Sequence, residues 1–307
     1  MRKIQMVDLQ TQYQRIKQDI DAGIQEVIET AAFVKGQKVT DFQAHLEQYT
    51  GAKHVINVGN GTDALQLCLT AWGIGPGDAA QMTGKAMDAL RAVDVIAGYG
   101  VYVELVKPLF PEKEYLVTPM RREVDRCRMA IDAALEGRTV AMISSGDAGV
   151  YGMAGLVLEL AADKDLEVEI IPGVTAALSG GAVLGAPLTH DFAVISLSDL
   201  LTPWEKIEKR LELAAEADFC IALYNPSSHR RSDYLQKACD ILLRHVSPQT
   251  VCGIVRNIGR EGEEYKVMTL AELREYRADM FTTVFIGNSQ TRAVNGKMVT
   301  PRGYRDV

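Results

Sequence analysis

Five short stretches carry the residue types from which a binding site is built. The first is Gly73-Ile74-Gly75-Pro76-Gly77-Asp78. Three more are Gly146-Asp147-Ala148-Gly149-Val150-Tyr151-Gly152, Pro172-Gly173-Val174-Thr175-Ala176-Ala177 and Leu223-Tyr224-Asn225-Pro226-Ser227-Ser228. Each of these three follows an apolar run that reads as a buried strand. Small or polar residues therefore fall at a strand's carboxyl end, where exposed backbone groups meet a ligand. Singly, each is more often a plain turn; together they predict one ligand crevice. In the hexapeptide, Pro76 biases Gly75 away from the helical region, so the chain bends tightly. That bend either ends a helix with Gly73 as its left-handed cap or opens a ligand loop after a strand. The fifth stretch, Gly59-Asn60-Gly61-Thr62-Asp63, lies between an expected strand at 54–58 and a helix from Ala64 to about Trp72. A strand, a glycine turn and a helix start make a phosphate site, because the first helical N–H groups are unpaired and the dipole favours an anion.

The elements that must position these loops follow from periodicity. Ile16, Ile20, Ile24, Val27 and Ile28 recur at three- and four-residue spacing, which predicts an amphipathic helix over 12–32, with a second over 40–49 capped by Thr40. After Asp78, short strands and helices alternate: helix 83–91, strand 94–98, helix 121–136, strand 139–143, helix 155–162, strand 168–171 and a helix opening at Val174-Thr175. This is the βαβ pattern of a mainly parallel sheet. Gly185-Ala186-Pro187-Leu188 reads as a hinge. Beyond it the alternation continues with strand 192–197, helix 203–216, strand 218–224, helix 234–245 and strands at 252–257, 265–268 and 283–289.

Composition narrows the function. The chain has 307 residues, 47% hydrophobic and 24% charged, which suits a soluble protein of two ordinary domains. A net charge of −7 without a Lys/Arg block argues against a nucleic-acid partner. No apolar run reaches the roughly 18 to 20 residues of a membrane span, and the first 30 residues are not signal-like, so the expectation is a cytoplasmic protein with no membrane partner. Five cysteines without CxxC spacing point to buried thiols rather than a disulfide framework, zinc site or cluster, so no metal is expected.

Residues 1–78 resemble the start of the pyridoxal-phosphate-dependent sugar aminotransferases (DegT/DnrJ/EryC1/StrS type). The resemblance is carried by Met6-Val7-Asp8-Leu9, Phe33-Val34-Lys35-Gly36 and Val55-Ile56-Asn57-Val58-Gly59-Asn60-Gly61-Thr62-Asp63-Ala64-Leu65. It implies that Gly61-Thr62 matches the family's cofactor-phosphate loop. The family's Schiff-base lysine and its pyridinium aspartate belong to a part this chain does not contain, so the stretch reads as a fragment unable to do that chemistry.

Residues 73–307 resemble the tetrapyrrole (corrin/porphyrin) methyltransferases, and within them the branch that methylates C17 of precorrin-3B in cobalamin biosynthesis. The four later loops carry this, with Leu188-Thr189-His190-Asp191-Phe192, Ile195-Ser196-Leu197-Ser198-Asp199 and Gly287-Asn288-Ser289. The resemblance implies two α/β domains, 73–187 and 188–307, with a cleft between them, after an aminotransferase-like segment at 1–72. It further implies S-adenosylmethionine in the cleft, a tetrapyrrole substrate, ring contraction after methylation, and a homodimer. Carried over by position, Gly146, Asp147, Val150, Thr175, Ala176, Tyr224, Asn225, Ile286 and Gly287 hold the cofactor. Gly75, Pro76, Gly77 and Asp78 border the substrate.

Ring contraction needs proton movement, and Asp78 is the catalytic candidate, with capping of the next helix as its alternative. Asp147 is a ligand group or a brace for its own loop, and His190 reads as structural. A polycarboxylate substrate should meet cations, for which Arg121, Arg122, Arg126, Arg230, Arg231 and Arg256 are available unless they are solvated surface.

The two resemblances collide at 65–72. The methyltransferase pattern needs an apolar strand before Gly73, whereas Leu65-Gln66-Leu67-Cys68-Leu69-Thr70-Ala71-Trp72 has helical spacing. The expectation is a first strand either rebuilt over about 69–73 or lost. A lost strand leaves a chimera that binds S-adenosylmethionine or tetrapyrrole without turnover; an aminotransferase is the third reading.

Overall fold

The computed structural model describes residues 9–30, 37–50, 69–228 and 231–305. The chain forms two compact units, Met1–Ala64 and Leu65–Val307. In the first, the expected amphipathic helix is α1 (Leu9–Thr30) and the second helix is α2 (Gln37–Thr50). The latter begins three residues before Thr40, so Thr40 is not its N-cap. Lys38 of α2 pairs with Glu26 of α1 at 2.7 Å. The proposed phosphate loop 59–63 lies outside the described residues.

The second unit opens on β1 (Leu69–Gly73), so the first strand is rebuilt and residues 69–72 are not the end of a helix. The expected helical spacing is overridden by pairing. β1 runs parallel to β4 (Val140–Ser144) on one side and to β5 (Val168–Ile171) on the other, in continuous register from Leu69. A strand in the middle of a sheet satisfies both its backbone edges, and that outweighs a weak local preference. With β2 (Val95–Tyr99) and β3 (Glu114–Thr118) the sheet order is β3-β2-β4-β1-β5, all parallel. Helices α3 (Gly84–Ala92), α4 (Gly100–Val106), α5 (Glu123–Leu135) and α6 (Ala154–Ala161) connect the strands. The sheet's two faces bury separate clusters, one around Val140, Met142 and Val157 and one around Ile96, Ile143 and Leu90. Two-sided burial is what a parallel sheet requires.

After α7 (Ala176–Leu184) comes the segment expected as a hinge. Gly185–Ala186 is a two-residue strand, β6, paired parallel with β13 (Lys297–Val299), which also pairs with β12 (Arg292–Val294). The next sheet departs from the parallel pattern expected of it. Its order is β10-β9-β11-β8-β7, from β7 (Phe192–Ser196), β8 (Cys220–Tyr224), β9 (Val251–Arg256), β10 (Glu264–Thr269) and β11 (Thr282–Ile286), and only the β7/β8 pair is parallel. The β9 and β10 segments are joined by a short turn without a crossover helix, which makes them antiparallel. Helices α8 (Trp204–Glu216), α9 (Tyr234–Leu242) and α10 (Leu270–Glu275) cover one face with Ile207, Leu211, Leu235 and Leu273 fully or nearly fully buried. The four described cysteines, Cys127, Cys220, Cys239 and Cys252, are buried free thiols.

Candidate active site

At the carboxyl edge of the parallel sheet three loops meet backbone to backbone. Gly75 N donates to Gly146 O at 3.1 Å and Gly146 N to Gly75 O at 2.8 Å, an isolated antiparallel bridge. The loop after β5 packs onto both: a Cβ on Gly173 would sit 2.0 Å from Gly146 O and 2.6 Å from Gly73 Cα. Glycine at 73 and 173 is thus a steric requirement of three loops in contact. The hexapeptide is therefore a strand-to-loop turn and not a helix cap, with Gly75 at φ 73°.

Asp147 braces this junction. Its Oδ2 accepts from Gly173 N at 2.9 Å and its Oδ1 from Gly149 N at 2.8 Å, so both carboxylate oxygens serve backbone donors. Tyrosines tie the loops to the second sheet. Tyr224 OH accepts from Ala177 N at 2.7 Å and hydrogen-bonds Thr175 Oγ1 at 2.5 Å. Tyr151 OH donates to Val194 O at 3.0 Å and accepts from Ser196 N at 3.1 Å. Burial raises the Tyr224 pKa against the opposing hydrogen bonds from Thr175 and Ala177, which keeps the phenol protonated.

These ties border a cleft of about 410 Å³, in the size range of small-molecule sites. Of the expected cofactor residues, Gly146, Val150, Thr175, Ala176, Tyr224 and Asn225 line it. Ile286 and Gly287 do not: β11 presents its first residues, Thr282 and Thr283, to the cleft, and Gly287 is at the strand's other end, donating to Val251 O at 2.9 Å. Of the expected substrate turn, Pro76 lines the wall while Gly75 is buried against the second loop. Gly77 lies under Gly259 and Arg260, where a Cβ would meet Gly259 O at 2.7 Å.

Asp78 is exposed and outside the cleft wall. Its Oδ1 accepts from Ala80 N at 2.9 Å as the N-cap of the short 3-10 turn Ala79–Gln81, which is the capping role. The one carboxylate on the wall among the described residues is Glu123. His190 is exposed, its Nδ1 accepting from Asp191 N at 2.9 Å.

The expected cations separate cleanly. Arg122 pairs with Asp125, Arg231 with Asp199 at 3.3 Å, and Arg256 with Asp279 at 2.7 Å and Glu264 at 3.1 Å. Arg121 is exposed, and Arg230 lies outside the described residues. Arg126 alone of the six reaches the cleft. Sequence reasoning missed Arg260, Tyr99, Tyr102, Met120, Met280 and Phe281, all on the wall. The aromatic pair was findable in principle, because Tyr99 and Tyr102 end a strand and start a helix, as a crevice residue does.

Known proteins resemble this chain in sequence and fold. Residues 69–274 match the family described as Tetrapyrrole (Corrin/Porphyrin) Methylases, and residues 14–88 match the DegT/DnrJ/EryC1/StrS aminotransferase family. A probable cobalt-factor III C(17)-methyltransferase of Salmonella typhimurium is 50% identical over 238 residues, covering 77% of this chain and 99% of that protein. The precorrin-3B C(17)-methyltransferase of a Sinorhizobium species is 45% identical over 243 residues, covering 76% and 95%. The crystal structure of the methyltransferase CobJ superposes with a TM-score of 0.70 at 37% identity, over 76% of this chain and 99% of that one. The likeness runs along nearly the full length of these relatives, and the chain belongs to the tetrapyrrole (corrin/porphyrin) methylase family.

Proposed function

We propose that the chain transfers a methyl group from S-adenosylmethionine to C17 of precorrin-3B, or of its cobalt-containing form, with contraction of the macrocycle. The rebuilt β1 carries this reading. It delivers the glycine turn to the loop after β4 in bonded register, so the cleft's backbone frame is whole despite the foreign lead-in. The family's methyl donor is S-adenosylmethionine, whose sulfonium supplies an already activated methyl group.

The wall suits such a guest. Its donors and acceptors beside the loops are main-chain groups and the neutral side chains of Thr175, Asn225, Thr282 and Thr283, which match a nucleoside and an amino-acid end. In this proposal Gly146, Val150, Thr175, Ala176, Tyr224 and Asn225 border the donor, and Asp147 holds their loops in place. Tyr151 and Tyr224 lock the two sheets around the guest. Positioning in line is then the main work of these residues, and orientation alone is able to supply several kcal/mol of barrier reduction, on the order of 7 to 11.

Residues 1–64 are proposed to be an aminotransferase-like fragment joined to a methylase, and the methylase halves, 73–187 and 188–307, to act as two domains of a cytoplasmic homodimer. Calorimetry with S-adenosylhomocysteine, together with mass spectrometry of a precorrin-3B incubation, tests the reaction. Binding and a product heavier by one methyl group are expected; binding without product would leave the chimera reading, a binder without turnover. Light scattering checks the dimer.

A further inference from the structure

Two arginines on the cleft wall have no carboxylate partner among the described residues. Arg126, in the first turn of α5, is only 4% exposed. Its Nε donates to Thr118 Oγ1 at 2.9 Å and its Nη2 to Pro119 O at 3.2 Å, while the contact of Nη1 is the thioether of Met153 at 3.9 Å. The guanidinium carries five N–H donors, so at least two remain for a guest. Its other neighbour is the ring of Tyr99, 5.9 Å away.

Arg260, in the turn after β9, is half-buried. Its Nε donates to Pro76 O at 3.2 Å and its guanidinium lies 5.8 Å from the Phe281 ring, which leaves both terminal nitrogens without an acceptor among the described residues. Glu123 is the one acid on the wall. It is exposed, accepts from Arg121 N at 3.3 Å, and forms no ion pair with either arginine. Tyr102 feels both cations: burial raises its pKa, and Arg260 and Arg126 pull it back.

A buried guanidinium held by neutral acceptors is expensive unless an anion completes its shell. Here the fork geometry of arginine, with free terminal N–H groups facing a cleft, fits a carboxylate. We infer that Arg126 and Arg260 form a carboxylate-binding subsite, one arginine from each sheet's side of the cleft, that fixes an acid group of the bound molecule. This rests on the reading above that acid-bearing molecules occupy the cleft. The carboxylate comes either from the macrocycle's acid side chains or from the amino-acid end of the methyl donor, and the test separates the two.

The full chain and its Arg260→Gln, Arg126→Gln and Arg126→Lys variants are titrated with three probes. These are uroporphyrin, a stable polycarboxylate tetrapyrrole; S-adenosylhomocysteine; and 5′-methylthioadenosine, which lacks the amino-acid end. Arg260→Gln, at a half-buried site, carries the test if Arg126→Gln does not fold. A macrocycle subsite weakens uroporphyrin about tenfold or more in the glutamine variants, leaves both nucleosides unchanged, and is partly restored in Arg126→Lys. An amino-acid subsite weakens S-adenosylhomocysteine by a similar factor and spares 5′-methylthioadenosine. If the wild type binds its probes and a folded Arg260→Gln binds all three within twofold of it, the subsite is refuted while the reading of the cleft stands. A wild type that binds neither uroporphyrin nor S-adenosylhomocysteine overturns both.

Discussion

α1 and α8 are written in the same pattern and meet opposite fates. Ile16, Ile20, Ile24 and Ile28 of α1 stand at i, i+4 spacing and remain 42%, 38%, 55% and 54% exposed. Ile207, Leu211 and Ala215 of α8 have that spacing too and are 0%, 0% and 6% exposed. The periodicity in each case specifies a helix and the face it would bury. What differs is the partner: α8 lies on a sheet that offers Ile221, Leu223 and Ile254, whereas α1 shares its unit with one described helix, whose own Phe42 and Tyr49 are 57% and 88% exposed. An amphipathic stripe is therefore a demand for a core, and most helical stability comes from meeting it.

The largest effect should come where the demand is met. Leu211→Ala removes a fully buried side chain and should cost about 2 to 5 kcal/mol, read by urea denaturation. Ile24→Ala in α1 should cost less than about 0.5 kcal/mol, because an exposed site leaves no cavity. Equal losses would show that the exposed stripe of α1 is covered in solution.

Next comes Gly173→Ala. The added Cβ meets Gly146 O at 2.0 Å, and the atoms in its way are backbone, which cannot rotate aside. Overpacking of this kind costs about 1 to 3 kcal/mol and should displace the three-loop junction. S-adenosylhomocysteine affinity should fall with it, and a variant binding as wild type would detach the junction from the site.

A smaller, pH-dependent effect belongs to Asp279, which holds the Met280 to Thr282 segment on the cleft wall. Burial alone would raise its pKa, but hydrogen bonds from Thr282 Oγ1 at 2.8 Å, Arg256 Nε at 2.7 Å and Phe281 N at 2.9 Å outweigh it and leave the pKa below 3.8. A folded pKa below the unfolded one stabilises the charged form. The contribution is present in full well above pH 3.8 and vanishes as the pH falls through the lower folded value. Melting temperatures of wild type and Asp279→Asn should thus differ at pH 7 and converge towards pH 3.

Much of the methylase unit was readable because its signals are local. Strand ends with glycine or proline and the apolar runs of β4 and β8 each announce themselves within a few residues. The misses need information from elsewhere in the chain. Residues 69–72 have helical spacing, and only pairing with β4 and β5 makes them a strand. The antiparallel order of the second sheet depends on which strand β11 inserts between. Asp78 stood between a chemical and a capping role in the sequence, and the cap is the one the fold displays, with Ala80 N donating to its Oδ1. Arg260 carries no pattern at all. It is one arginine after a strand, and it matters because a turn 184 residues earlier offers it the carbonyl of Pro76.

The smallest effect expected is the most informative about the two units. Deleting residues 1–64 removes α1 and α2 and leaves the compact unit Leu65–Val307, whose core clusters draw every buried member from Ile74 onwards. No residue of 13–30 in α1 or of 37–49 in α2 is buried. Burial contributes about 25 cal/mol per Å² of apolar surface, so a segment that buries little of its own contributes little. The truncated chain should melt within about 2 °C of the full chain, given the 2 to 4 °C that each kcal/mol moves a domain of this size, and should bind S-adenosylhomocysteine equally well. A drop several times larger would mean that the isoleucine stripe of α1 finds its core on the methylase unit, so that the joined segment has become part of the enzyme's fold. An unchanged melt with lost binding would instead place the importance of the segment in how Leu69 enters β1, the one strand both families' patterns claim.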